Sequence, residues 1–141
     1  MKNWGMDAEK VMQERFGHDN VLALATVDGT EPWVRYVNAY YENGAFYVIT
    51  YALSNKMRQI GAHPAVALAG DWFTGRGQGE SLGWVGSAEN QAMTDKLRQV
   101  FASWIDNGHT NLADEHTVIL RIRLTEAVLF SHGTRYELAA E

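Results

Sequence analysis

Residues 21–50 read VLALATVDGTEPWVRYVNAYYENGAFYVIT, and this stretch decides the fold. It opens with Val21 to Val27, a short continuous apolar run suited to a strand buried on both faces. Asp28-Gly29 is a turn signal, and Trp33 to Tyr41 then continues in aromatic and β-branched residues. Asn43-Gly44 is the strongest hairpin signal in the chain, because a tight type I′ turn needs positive φ at both central residues. Ala45 to Tyr51 returns as the partner strand. The stretch therefore predicts a meander of three strands joined by short turns.

Working outward, Ala8, Val11, Met12 and Phe16 recur at helical spacing from Asp7 to Phe16, with Asp7 placed to cap and Gly17 to terminate. Beyond the meander, Ser54 caps a short helix with Met57 and Ile60 on one face, ended by His63-Pro64. Ala65 to Phe73 reads as a fourth strand, Thr74 to Glu80 (TGRGQGE) as a loop by composition, and Ser81 to Ser87 as a fifth strand bulged at its glycines. Ala92, Met93, Leu97, Val100, Phe101, Trp104 and Ile105 trace one helical stripe, stopped by Asn107-Gly108. In the tail, Val118, Leu120, Ile122 and Leu124 alternate inward while Arg121 and Arg123 point outward. Ala127 to Phe130 and Arg135 to Leu138 form two further short strands. Trp33, Trp72, Trp84 and Trp104 read as core by residue type. Some seven strands with few long connections predict an α+β, mainly β, antiparallel barrel decorated by two or three helices.

Composition bounds the function. The 141 residues amount to a single domain, 1–141, able to bury about two-thirds of its unfolded surface. No apolar run exceeds five residues, which predicts no membrane association through a spanning helix and no signal-peptide core. The opening MKNWGMDAEKVMQERF carries three acids and argues against a transit peptide. Zero cysteines exclude disulfides, thiolate metal sites and cysteine nucleophiles. Twelve basic against seventeen acidic residues give a net charge of −5, the opposite of a nucleic-acid binder's balance. A cytoplasmic domain is the expectation.

Most catalytic patterns fail. In GRGQGESLG the spacing of Gly75, Gly77 and Glu80 departs from a dinucleotide loop, and no Lys-Ser/Thr follows as a phosphate loop requires. The serine elbow G-x-S-x-G is absent. His18, His63, His109, His116 and His132 contain no i, i+4 pair, and His109, Asp114, Glu115 and His116 fall in an irregular connection. No metal site is predicted.

One constellation survives. Arg35 stands mid-strand in VRYVNAYY, Thr50 ends the partner strand, and Ser54 and Lys56 open the short helix. Pairing about the Asn43-Gly44 turn sets Arg35 opposite Thr50 to Ala52. A guanidinium, an ammonium, hydroxyls and a helix N-terminus would then converge, as a phosphomonoester dianion requires. The competing reading is an Arg and a Lys on a solvated strand end, in ion pairs worth little.

These residues, with SNK (54–56), HPAVALAGDW (63–72) and WVGSAE (84–89), make the chain resemble the pyridoxamine 5′-phosphate oxidase-like split barrels. The resemblance runs from about Val21 to Glu89 and more weakly through the final strands. It implies a six- to seven-stranded antiparallel split barrel that forms a homodimer with FMN sites at the subunit interface. By position, Arg35, Tyr36, Val37 and Asn38 match the strand along the flavin, Thr50 the threonine ending the next strand, and Ser54, Asn55 and Lys56 the phosphate-closing segment. Phe130 matches an aromatic near the flavin.

The departures are informative. Asn55 stands where the oxidases have an arginine, Ser81 where they have a flavin-contacting glutamine, and Tyr40 where a lysine holds the vitamin's phosphate. The tyrosine–arginine–serine group for that phosphate has no counterpart in SAENQAMTDKLRQVF. Gly133-Thr134-Arg135-Tyr136 keeps an arginine but lacks the histidine two residues after it. The resemblance therefore implies an FMN-binding, flavin-dependent oxidoreductase acting on a small-molecule substrate or electron donor, but not a pyridoxamine phosphate oxidase. The alternative is a non-catalytic module, stress-related or binding flavin, deazaflavin or heme. No catalytic side chain is assigned.

Overall fold

The computed structural model describes residues 5–138, so residues 1–4 of the amphipathic opening segment lie outside it. Along the chain run α1 (Met6–Phe16), β1 (Asn20–Asp28), β2 (Glu31–Glu42), β3 (Ala45–Tyr51), α2 (Asn55–Ala62), β4 (Ala65–Gly70), β5 (Phe73–Trp84), a 3₁₀ turn (Ala88–Asn90), α3 (Gln91–Val100), β6 (Thr117–Ser131) and β7 (Thr134–Leu138). The antiparallel order is β3-β2-β1-β4-β5-β6-β7, and β3 also pairs with β6, which closes six strands into a barrel and leaves β7 outside it.

Local chemistry explains the elements. Asn43 and Gly44 take φ of 47° and 85°, the double positive φ of the expected I′ turn. Ser54 caps α2 by accepting from the Met57 N–H at 3.3 Å, and Gly17 closes α1. The cap at the start of α1 differs: Gly5 occupies it without a side-chain bond, and Asp7 lies inside the first turn. Tyr41 donates its hydroxyl to Glu9 Oε2 (2.7 Å) and accepts the Gly44 N–H (2.9 Å), which pins α1 to the hairpin.

Inward side chains alternate as expected. Leu22 and Leu24 of β1, Val66 and Leu68 of β4 and Leu120, Ile122 and Leu124 of β6 join Phe46, Phe16 and Phe73 in the barrel core. A second cluster (Tyr40, Val85, Leu97, Phe101, Ile105 and Ile119) lies under α3 on the outer face. The helical stripe ends earlier than its pattern: α3 stops at Val100, and Phe101 to Ile105 continue as turns while keeping Phe101 and Ile105 buried.

The structure corrects four further expectations. Thr74 to Glu80 is no loop but the middle of β5, paired with β4 on one edge and β6 on the other. Alternation turns positions 75, 77 and 79 inward, where a side chain would not fit: a Cβ on Gly77 would sit 2.5 Å from the Arg123 carbonyl oxygen, and one on Gly79 would sit 3.0 Å from Ile60 of α2. Gly79 thus lets α2 seat against the barrel. The expected fourth strand accordingly breaks at an Asp71-Trp72 turn, and β6 runs unbroken through both Val118–Leu124 and Ala127–Phe130, while Arg135–Leu138 is a strand of its own within β7. Lastly, Trp33, Trp72 and Trp84 are exposed and Trp104 is only half-buried. Among the described residues no helix is long and apolar enough to cross a membrane.

Candidate functional site

The meander of residues 21–50 is present, but its second hairpin opens. Strands β2 and β3 pair only from Glu42–Ala45 to Tyr40–Tyr47. Beyond that, residues 31–39 of β2 stay with β1, while β3 follows β6 through Tyr51. The other edge of residues 31–39 has no strand partner among the described residues, so β2 and β3 flank a cleft. The ladder does not carry Arg35 to Thr50, as the hairpin register had suggested. Helix α2 does: it packs against β1 and β5 with Met57 and Ile60 in the core, and its first turns bridge the two walls.

Arg35 shares the inner face of the barrel with Leu24, its partner in the register. Its Nη1 donates to Thr26 Oγ1 (2.7 Å) and the Leu24 carbonyl (3.3 Å), and its Nη2 donates to Gln59 Oε1 (3.0 Å). The Thr26 hydroxyl in turn donates to Gln59 Oε1. From the other wall Lys56 Nζ donates to Thr50 Oγ1. Burial, and then the nearby Arg35 charge, pull the Lys56 ammonium below its usual range; burial alone lowers Arg35. Among the described residues neither cation has a carboxylate partner. Two half-buried like charges thus lie near one another, each held by its own neutral acceptors alone.

Of the residues singled out from sequence, Arg35, Thr50, Ser54 and Lys56 therefore gather at the α2 end of the cleft. Asn55, beside them at the helix start, is exposed. Strand alternation turns Tyr36 and Asn38 to the opposite face: Tyr36 is exposed, and Asn38 donates to Asp19 Oδ1 (2.9 Å), whose other oxygen accepts from the Trp104 indole (3.0 Å). Asn38 thus ties β2 to the segment after α3. Val37 is buried in the core, so its place in the cleft is through its backbone. Thr26 and Gln59 were not singled out. Their signal was a polar residue at an inward strand position after Leu22 and Leu24, and another between Met57 and Ile60 on a buried helix face.

Residues 8–129 match the sequence model described as pyridoxamine 5′-phosphate oxidase. The chain belongs to this family. Solved structures agree in fold. General Stress Protein 26 of Bacillus anthracis superposes with a TM-score of 0.66 at 16% identity, over 86% of this chain and 92% of that one. A FAD-binding protein of Mesorhizobium loti gives 0.66 at 17%, over 90% and 93%. A heme binding protein of Mycobacterium smegmatis gives 0.70 at 15%, over 96% of this chain but 58% of that one. No curated protein matches the sequence. At these identities the shared property is the barrel, and function rests on the site.

Among the described residues, none of the other positions that bear on the family comparison hydrogen-bonds Arg35 or Lys56. Phe130 is exposed, edge-on to Trp72 (6.3 Å) and beneath the Arg135 guanidinium (5.6 Å), at the tips of the outer hairpins. Ser81 lines a cavity of about 520 Å³ with Met57, Ile60 and Gly61. Tyr40 is buried under α3 and donates to Glu42 Oε1 (3.1 Å), which also takes the Lys96 ammonium (2.6 Å). His116 packs against Tyr51 (5.8 Å), and no three His, Asp or Glu side chains gather as a metal site among the described residues.

Proposed function

We propose that this family member binds FMN in the cleft between β2 and β3, as a cytoplasmic homodimer, and serves as a flavin-dependent oxidoreductase on a small molecule. The observation that carries the reading is the Arg35–Lys56 pair without a carboxylate. Holding like charges together in a partly desolvated place costs free energy unless an anion joins them. A phosphomonoester dianion fits, since it accepts from a guanidinium fork, an ammonium, the Ser54 hydroxyl and the unpaired N–H groups of the first turn of α2. The open edge of β2 at residues 31–39 offers backbone donors and acceptors to a flavin ring above that phosphate.

The bound flavin would supply hydride or electron transfer. The chain's own residues hold and orient: Arg35 and Lys56 neutralise the phosphate, Thr50 fixes Lys56, and Thr26 and Gln59 fix Arg35. The cluster holds no carboxylate or imidazole to move a proton, which leaves bond-making to cofactor and substrate. Vitamin oxidation is disfavoured, because Tyr40 fills the place of a phosphate-binding lysine and Lys96 is paired with Glu42.

The test is the visible spectrum of purified protein mixed with FMN and desalted. Retained flavin bands that bleach anaerobically with NADH or NADPH are expected. A colourless protein overturns FMN as cofactor, and retained but unreduced flavin favours the carrier reading.

The homodimer rests on the outer face of β1 and β4. Ala23 pairs with Ala69 and Ala25 with Ala67, and Tyr36 and Val34 extend the two rows from β2, both well exposed. A groove of about 730 Å³ runs along this apolar band. Such an exposed small-residue face on so small a barrel suits a second copy across a two-fold axis. Ala67→Glu is expected to convert a dimer to monomer in sedimentation at micromolar concentration. An Ala67→Glu protein that sediments as wild type, or a monomeric wild type, removes this face from the assembly.

A further inference from the structure

The way Arg35 is held says more than that it is present. A guanidinium carries five N–H groups in a fixed plane. Nη1 uses both of its hydrogens on Thr26 and Leu24, and Nη2 uses one on Gln59. Thr26 Oγ1 and Gln59 Oε1 are themselves hydrogen-bonded, so they sit side by side and occupy the end of the guanidinium between Nη1 and Nη2. What remains is Nε–H and the second Nη2–H, which point in parallel from one edge of the plane. That is the fork geometry that receives two oxygens of a phosphate.

Gln59 and Thr26 are 2% and 1% exposed, so neither is placed to touch a ligand in the cleft. A buried amide and a buried hydroxyl at core-facing positions need a reason to be polar. Their shared partner supplies it.

We infer that Gln59, with Thr26, is a positioning residue that clamps one end of Arg35 and presents its other edge to a phosphomonoester. The inference rests on the phosphate reading of the cleft. It adds that FMN selectivity over the unphosphorylated flavin depends on a residue outside the contact shell. The clamp is neutral: an acidic residue at 59 would also grip Arg35, but it would cancel the charge the phosphate needs.

The test compares FMN and riboflavin affinities by flavin fluorescence for wild type, Gln59→Leu, Thr26→Val, Thr26→Ser and Arg35→Ala, with a thermal melt of each empty protein. Wild type is expected to prefer FMN strongly. Gln59→Leu and Thr26→Val should each lose about tenfold in FMN affinity, the scale seen when an outer partner of a ligating group is removed. Riboflavin affinity should not change, and Thr26→Ser should restore the preference. Adding Gln59→Leu to Arg35→Ala should cost nothing more, because the clamp has nothing left to hold. Equal losses for FMN and riboflavin would make Gln59 merely structural and overturn the inference. Full FMN preference in Gln59→Leu would overturn it while leaving the phosphate reading intact. A wild type that does not distinguish the two flavins would overturn both.

Discussion

Lys56→Met is expected to strip the protein of FMN and, in the same step, make the empty protein harder to unfold. The side chain is half-buried at the start of α2, and its ammonium faces Arg35. Methionine keeps the stem's packing and drops the charge. Removing a cation that faces a buried phosphate costs roughly 3 kcal/mol, about a hundredfold in affinity. For the empty protein the sign reverses. Burial and Arg35 hold the folded pKa below the ordinary 10.5, so the charged form is disfavoured on folding. That penalty is full below the lowered folded value and fades as pH climbs from it towards 10.5. Empty wild type should therefore gain stability across this alkaline window, and Lys56→Met, already relieved, should not. FMN affinity runs the other way, falling across the window as Lys56 loses its proton while riboflavin affinity stays level. Melts of desalted protein from neutral to alkaline pH, with FMN titrations beside them, read both signs. A variant that keeps wild-type FMN affinity takes Lys56 out of the phosphate site.

The second large effect is on the barrel itself. Gly77→Val should destabilise by about 3 kcal/mol, at the upper end for overpacking. A Cβ there would stand 2.5 Å from the backbone oxygen of Arg123, which cannot rotate away as a side chain could. The site also coincides with a register shift between β5 and β6, so the strands have already adjusted around the missing side chain. Gly61→Ala is the matching control. Gly61 lies on the exposed side of α2 with nothing within 4 Å of its Cβ position, and alanine is expected to gain roughly 0.5–1 kcal/mol through helix propensity. Urea unfolding of the two variants should move the midpoint in opposite directions. A Gly77→Val protein as stable as wild type would return this stretch to the loop that its composition suggests.

That stretch shows where sequence reasoning runs out. Glycines at 75, 77 and 79 carry the same local signal whether the chain turns freely or passes close to other backbone, and only the neighbours β6 and α2 decide. Features set within a few residues were legible: the Asn43-Gly44 turn, the Ser54 cap and the alternation of Val118 to Leu124. The candidate site was half legible. Arg35, Thr50, Ser54 and Lys56 announced themselves by charge and hydroxyl chemistry, but the means of convergence was misjudged. A two-stranded register extrapolated past Tyr40 could not anticipate that β3 would leave β2 for β6, since that preference lies in strands seventy residues apart, roughly the distance from Val48 to Leu120. Thr26 and Gln59 stayed hidden because each is unremarkable until the other and Arg35 surround it. The tryptophans erred in the other direction: residue type predicts burial only on average, and Trp72 ends up in a tight turn at φ 54° with its ring in solvent.

The most direct measurement is a crystal structure of the protein grown with FMN. The phosphate is expected at the α2 end of the cleft, accepting from the Arg35 Nε/Nη2 edge, Lys56 Nζ and Ser54, with the ring along residues 31–39 of β2. A phosphate bound away from Arg35 and Lys56, or a cleft that stays without flavin at saturating FMN, would contradict it.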